Sequence, residues 1–402
     1  MNNYMQKQTI NDLAVLGAEP AFSEPLHVGR PNIGDSERLF QRIQDALDRR
    51  WLTNNGPFVR EFENRLAQFL QVKHVIAMTN ATIALEIVAR ALGLTGEVIV
   101  PSFTFIATAH ALQWQHITPV FCDIDPKTHN IDPAKIETLI TPRTTGIIGV
   151  HVWGRPCEIE ALTEISNRYG LTLLFDAAHA FGASYKGRMI GAFGEAEVFS
   201  FHATKFFNTF EGGAVTTNND ELAEKLRLMR NFGFAGRDNV IYIGTNGKMH
   251  EITAAMGLTS LESIDEFIEV NRRNYHSYQQ ELRDIPGITQ IVYDEKEKNN
   301  YQYIILEVDE SKAGITRDQL VDILWAENVL ARRYFYPGCH EMEPYRTLFP
   351  EADSLLPETK ALTRRVLSLP NGTSVDAEKI RVIGSIIRTA VENSESLQQY
   401  LG

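Results

Sequence analysis

Cysteine is scarce in this 402-residue chain. Cys122, Cys157 and Cys339 are the only three, and no two are close enough to form a CxxC pair. So sparse and odd a set draws no disulfide framework and no cysteine metal motif, and it fits a reducing compartment. Positive charge is in deficit: 39 lysines and arginines stand against 51 aspartates and glutamates, a formal net charge of −12. Nucleic acid is therefore not expected as a partner, since phosphate-backbone binding needs a basic face. One phosphorylated ligand would need only a local pocket. No run of 18 apolar residues occurs, so no membrane-spanning helix is expected. The N-terminal stretch has no basic segment followed by an apolar one, so no secretory signal is expected, and the two sequons, Asn80-Ala81-Thr82 and Asn371-Gly372-Thr373, carry no weight as glycosylation sites. A P-loop and a GxSxG turn are both missing. Gly182, Gly187, Gly191 and Gly194 lack dinucleotide-binding spacing and predict a hairpin with its turns. His110/His116 and His129/His151 lack the spacing of a helical metal site, and no metal is expected.

What remains is ordinary globular composition, 44% hydrophobic and 22% charged, in a chain long enough for two or three domains. From residue 36 onward, short strands that are apolar throughout alternate with amphipathic helices. The predicted strands are His74–Met78, Glu97–Val100, Pro119–Asp123, Gly146–Val152, Leu171–Phe175, Glu197–Phe201 and Gly213–Thr217. Strands apolar on both faces imply an α/β fold, a largely parallel sheet covered on two sides with ligands at the carboxyl ends of its strands. After Gly244 the rhythm changes. Long helical periodicity spans Glu251–Gln280, then strands at Tyr303–Val308, Val329–Tyr334 and Val366–Leu369 mix with helices at Thr316–Glu327 and Asp376–Glu392. The expected division is a large domain over 1–275, N-terminal extension included, and a smaller α+β domain over 276–402.

Several residues stand where chemistry would be placed. Lys205 follows a buried strand in Ser200-Phe201-His202-Ala203-Thr204-Lys205; if desolvated it is a nucleophile able to form a Schiff base, and if not it is a solvated turn lysine. Asp176 ends Leu-Thr-Leu-Leu-Phe, where a carboxylate can pair with a protonated ring nitrogen or cap a helix. His179 can contact a ring or be a satisfied buried histidine. Asn80-Ala81-Thr82 opens a helix, where free amides and the dipole cradle an anion or are simply capped. Phe105 can stack on an aromatic ligand or pack in the core.

Taken in order, these segments resemble the DegT/DnrJ/StrS family of nucleotide-sugar aminotransferases, within the fold-type I pyridoxal-phosphate enzymes. The resemblance runs from Leu52 to Arg388. It rests on Leu52-Thr53-Asn54-Asn55-Gly56-Pro57, Asn80-Ala81-Thr82, Val100-Pro101-Ser102-Phe103-Thr104-Phe105, Val120–Asp125, Phe175-Asp176-Ala177-Ala178-His179, Ser200–Lys205 and Glu211-Gly212-Gly213. It implies an aspartate-aminotransferase-like fold and pyridoxal 5'-phosphate, cycling through pyridoxamine 5'-phosphate, as cofactor. Lys205 would carry the cofactor as a Schiff base and move protons, and Asp176 would pair with the ring nitrogen. His179 would sit near the ring, where many relatives have glutamine, and Phe105 would stack on it. Ala81, Thr82 and Ser200 would bind its phosphate. Asn246 would reach that phosphate from a partner subunit, which implies a homodimer with shared sites. Many relatives have Ser-Gly-Thr in place of Asn80-Ala81-Thr82, a change that leaves backbone donation intact. Relatives with histidine at the lysine position are dehydratases, so Lys205 points to transamination.

The form His202-Ala203-Thr204-Lys205 with Phe210-Glu211-Gly212-Gly213 resembles the subgroup that aminates C4 of dTDP-4-keto-6-deoxyglucose, with L-glutamate as donor. Amination at C3 of a dTDP-3-keto-6-deoxyhexose and a non-catalytic regulatory role are the alternatives. Tyr336, in Tyr334-Phe335-Tyr336-Pro337-Gly338, and Lys248 are the expected substrate-binding residues; Arg230, Arg237, Arg332 and Arg333 also flank loops that could meet a pyrophosphate. By analogy the location is cytoplasmic and the amino sugar enters an O-antigen or another lipopolysaccharide glycan.

Overall fold

The computed structural model describes Tyr4 and residues 6–401; residues 1–3, 5 and 402, which the expected domains include, lie outside the described residues. Seven strands form the large sheet: β1 (His74–Met78), β2 (Glu97–Pro101), β3 (Thr118–Cys122), β4 (Thr144–Val150), β5 (Thr172–Asp176), β6 (Ala196–Ser200) and β7 (Gly213–Thr217). Their spatial order is β1-β7-β6-β5-β4-β2-β3, with β7 antiparallel to both neighbours and every other pairing parallel. Alternate residues feed two separate cores. Val75, Ala77, Leu173 and Phe175 face one; Ile76, Met78 and Leu174 face the other. Burial on both faces is why these strands are continuously apolar. Helices Pro57–Leu70, Ile159–Tyr169 and Glu251–Glu262 cover one face; Ala81–Ala91, Ala107–Gln113 and Asp220–Met229 cover the other.

A third core belongs to the smaller lobe. Strands β8 (Ile288–Gln290), β9 (Ile304–Val308) and β10 (Val366–Leu369) pair antiparallel in that order, backed by helices Ile264–Leu282, Arg317–Ala326 and Ala377–Glu392. Residue 275 lies inside the helix Ile264–Leu282, which changes core along its length: Phe267 packs with the large sheet, Tyr275 and Tyr278 with the smaller lobe. The N-terminal segment also joins the smaller lobe, burying Leu13, Phe22 and Leu26 there, with Leu26–His27 pairing Val329–Leu330. Only those two residues of the strand expected over Val329–Tyr334 form; the chain then turns to bury Phe335 among aromatics. Gly187 turns the expected hairpin between Ser184–Tyr185 and Arg188–Met189. All three cysteines are buried and free, and among the described residues no helix is long and apolar enough to cross a membrane.

One buried ion pair fastens the N-terminal segment. Lys7 Nζ lies 3.2 Å from Glu327 Oε2, and both side chains are almost fully buried. Glu327 also accepts the Ala14 and Ala21 amides, each at 2.7 Å, while Lys7 Nζ donates to the Asp12 and Glu19 carbonyls. Removing one member of such a pair strands the other and costs roughly 3–5 kcal/mol. Glu327→Ala is expected to lower the melting temperature and to make residues 6–26 the first site of limited proteolysis; an unchanged digestion pattern would contradict this role.

Candidate active site

The site forms along the carboxyl edge of the sheet. Asp176 is the last residue of β5, 6% exposed. Its Oδ2 accepts the Thr108 hydroxyl at 2.8 Å and its Oδ1 the Ala178 amide at 3.1 Å. Thr108 lies on the helix Ala107–Gln113 and is itself joined to Thr104 at 3.0 Å. Thr104 precedes the helix, in the turn that follows β2. Burial raises the Asp176 pKa above the ordinary carboxylate range, against the opposing pull of the Thr108 hydroxyl, the Ala178 amide and the positive field of Lys205.

Lys205 sits in the turn after β6, its amide bonded to the His202 carbonyl at 2.8 Å. Its Nζ lies 3.2 Å from the Tyr303 hydroxyl, across the boundary between the lobes. Desolvation pushes the amine down to about 8, with Asp176 pulling the other way. The sequence leaves open whether this lysine is solvated or desolvated, and the fold desolvates it.

His179 is buried within an aromatic stack. Trp153 lies parallel to it at 5.9 Å, Phe335 packs against both, and the Tyr303 ring centroid is 4.4 Å away. The Trp153 amide donates to His179 Nδ1 at 3.2 Å. An amide can only donate, so Nδ1 is an acceptor and the neutral ring carries its proton on Nε2. Burial, followed by the field of Lys205, drives the His179 pKa well below its ordinary value, so the ring stays neutral. It therefore offers one N–H donor to the site.

The helix N-terminus at Ala81 also has an evident construction. Asn80 caps the helix Ala81–Ala91 by accepting the Ile83 amide at 2.9 Å, which leaves the amides of Ala81 and Thr82 at the open N-terminus. Gly213 of β7 pairs in register with Ser200 of β6 and abuts this terminus. A Cβ at Gly213 would stand 2.7 Å from the Ala81 nitrogen, and one at Gly212 would stand 1.9 Å from Thr209 Oγ1. Steric exclusion is thus the physical content of Glu211-Gly212-Gly213. Phe105, just past β2, is 60% exposed and free to cover a planar ligand.

The structure brings Lys205, Asp176, His179, Ala81, Thr82, Ser200 and Phe105 to the strand ends. Among the described residues no hydrogen bond joins Asn246 or Lys248 to this group, though Lys248 bridges Met78 at the end of β1. Asn246 is exposed and bridges Asn231, while Lys248 Nζ bonds the Asn231 side chain at 2.9 Å beside Phe232. Arg230 is a correction: it is buried and committed to Glu63, the Ala77 carbonyl and Asn55, so it is a structural cation and not a free phosphate ligand. Tyr336 is 44% exposed, with Arg317 and Arg333 against its ring. Thr108, Trp153 and Tyr303 are functional neighbours that the sequence reading missed. Only the Thr104-to-Thr108 helical spacing offered a local signal.

A pyridine ring bearing an aldehyde and a phosphate fits these residues. The buried carboxylate of Asp176 has no ion pair among the described residues and suits a cationic ring nitrogen; Lys205 supplies a nucleophilic amine, and the helix terminus an anion cradle.

Three comparisons relate the chain to known proteins. The pattern of the DegT/DnrJ/EryC1/StrS aminotransferase family matches residues 34–388. The chain is 39% identical to the dTDP-4-amino-4,6-dideoxy-D-glucose transaminase of Shigella dysenteriae over 91% of this chain and 99% of that protein. It is 37% identical to the GDP-perosamine synthase of Caulobacter vibrioides over 80% of this chain and 87% of that one. Among solved structures, DesI in the presence of its TDP-sugar product is 49% identical, with a TM-score of 0.93, covering 97% of this chain and 99% of that chain.

An amine attacks only when neutral, so lysine labelling of the cofactor-free chain should follow the Lys205 pKa. Trinitrobenzenesulfonate is expected to modify Lys205 with a rate that rises with pH around a midpoint of about 8, well before an ordinary lysine at 10.5. Peptide mapping reads this out, and a Lys205 labelled no faster at pH 8 than surface lysines would contradict it.

Proposed function

The chain belongs to the DegT/DnrJ/EryC1/StrS aminotransferase family, and from that premise we propose that it moves the amino group of L-glutamate to C4 of dTDP-4-keto-6-deoxyglucose, giving dTDP-4-amino-4,6-dideoxyglucose. The observation that carries the chemistry is the desolvated amine of Lys205 on the same sheet edge as the buried carboxylate of Asp176. The choice of substrate is supported by the near-complete alignment with the Shigella transaminase. A second reading, a GDP-linked sugar as substrate, is supported by the likeness to the Caulobacter synthase.

When bound, pyridoxal phosphate supplies a conjugated ring that takes up the electron pair of a broken Cα–H bond. The residues do the rest. Asp176 holds a proton on the ring nitrogen. The amides of Ala81 and Thr82 and the hydroxyl of Ser200 bind the phosphate. Phe105 would cover one ring face, and His179 would offer its Nε2–H to the ring as a hydrogen-bond donor. Lys205 would hold the cofactor until the amine of glutamate displaces it, and the freed Nζ would then take the proton from the α-carbon of glutamate and deliver it to the cofactor. In the second half-reaction the same amine acts at C4 of the sugar.

Asn246 and Lys248 would serve the site of a second copy, in a homodimer. The exposed apolar side chains of Phe232, Val240, Ile241 and Ile243 beside them support a buried interface there. Three free cysteines support a cytoplasmic location, and an O-antigen or related lipopolysaccharide glycan is the proposed destination of the amino sugar.

Incubating the holoenzyme with L-glutamate and dTDP-4-keto-6-deoxyglucose is expected to give a product whose NMR spectrum places an equatorial nitrogen on C4. No product from a holoenzyme whose spectrum still responds to glutamate would overturn the substrate assignment, and an axial nitrogen on C4 would change only the epimer. Lys205→Ala is expected to reduce turnover by about 10²–10⁴-fold or more and to abolish the visible absorbance of the lysine-linked cofactor. Full turnover in that variant would contradict the reading.

A further inference from the structure

Tyr303 stands immediately before β9 of the smaller lobe, yet its hydroxyl reaches the reactive amine of the larger one. The Lys205 Nζ–Tyr303 Oη distance is 3.2 Å, the only hydrogen bond Lys205 Nζ makes among the described residues. Tyr303 is 5% exposed and its ring is fixed on three sides: His179 at 4.4 Å, Trp153 at 5.4 Å edge-on and Tyr334 at 6.2 Å. Its carbonyl accepts the Tyr293 hydroxyl at 3.1 Å. A phenol so held has one orientation to offer, and a lysine with four rotatable bonds needs an external partner to adopt one.

We propose that Tyr303 is the positioning residue for Lys205: its phenolic oxygen accepts an N–H from Nζ and sets the direction of the amine's lone pair, so that docking of the smaller lobe completes the nucleophile. This role rests on the aminotransferase reading for its consequence in turnover, though the contact itself does not depend on it. The groups facing the amine are Asp176 and His179 from the large lobe and Tyr303 from the small one, with Tyr334 and Arg332 behind it. Burial holds the Tyr303 phenol well above its ordinary pKa, so it remains neutral and acts as a hydrogen-bonding group and not as a base. A neutral phenolic oxygen favours the protonated amine, so its removal must shift the amine toward its neutral form.

Tyr303→Phe keeps the ring and removes only the hydroxyl. In the cofactor-free full chain, the pH midpoint of Lys205 labelling by trinitrobenzenesulfonate is expected to move to lower pH, with the melting temperature unchanged. In the holoenzyme, kcat is expected to fall about tenfold, the worth of one hydrogen bond, with KM for the sugar nucleotide little changed. An unmoved labelling midpoint would overturn the proposal whatever happens to kcat, because a ring that merely packs leaves the amine untouched. A lowered midpoint with unchanged kcat would overturn its catalytic consequence. A lowered midpoint in a protein whose parent transfers no amino group would uphold the contact and refute the reaction instead.

Discussion

A carboxylate kept out of water without an ion pair is the constraint on which this site is built. Burying a bare charge costs several kcal/mol, and a fold tolerates it only where hydrogen bonds or an incoming cation offset the loss. Asp176 has the Thr108 hydroxyl and the Ala178 amide, and its pKa still lies above the ordinary range. The deficit suits a cationic ligand, and in the proposed function a protonated pyridine nitrogen would supply the missing positive charge. The rest of the arrangement follows from delivering that ring in one orientation. In the proposed function the helix terminus at Ala81 and Thr82 would fix one end, Lys205 would meet the other, and His179 and Phe105 would confine its edge and face.

Much of this was legible because each determinant is local. Strands buried on both faces announce themselves as apolar runs, and Asp176 is conspicuous where such a run ends. Lys205 and the paired glycines lie within nine residues of one another, so their motif survives in the linear chain. Their reason did not: only the fold reveals that a Cβ at Gly213 would strike the amide of Ala81, 132 residues earlier in sequence. Tyr303 was hidden for the same cause. It is the first residue of an apolar strand pattern and looks like core until the lobes close on Lys205. Arg230 differs in the other direction, an arginine beside a loop that could meet a pyrophosphate and is in fact buried with Glu63. The strand expected through Tyr334 ends at Leu330 because three-dimensional aromatic packing around Phe335 overrides strand periodicity.

The lobes are bound together near the reactive turn. Asn32 in the N-terminal strap donates to the Phe206 carbonyl at 3.0 Å, its own carbonyl accepts from Asn208, and its Oδ1 accepts the Thr373 amide and hydroxyl. A Cβ at Gly29 would collide with the Thr204 carbonyl, so the strap lies directly against the residue that precedes Lys205. The Lys205 turn is thus gripped by the N-terminal segment, the large sheet and the smaller lobe at once. A nucleophile held this way loses little freedom when its substrate arrives, which is how a fold lowers a barrier by orientation.

The protonation state of the cofactor ring tests the central role of Asp176 most directly. The holoenzyme would be reconstituted with pyridoxal phosphate carrying nitrogen-15 in the ring, and its chemical shift recorded for the parent and for Asp176→Asn. The account predicts a protonated ring nitrogen in the parent and a deprotonated one in the variant, with cofactor still bound through Lys205. An unprotonated nitrogen in the parent, or a protonated one in both, would mean that the buried carboxylate is not the ring's counter-charge.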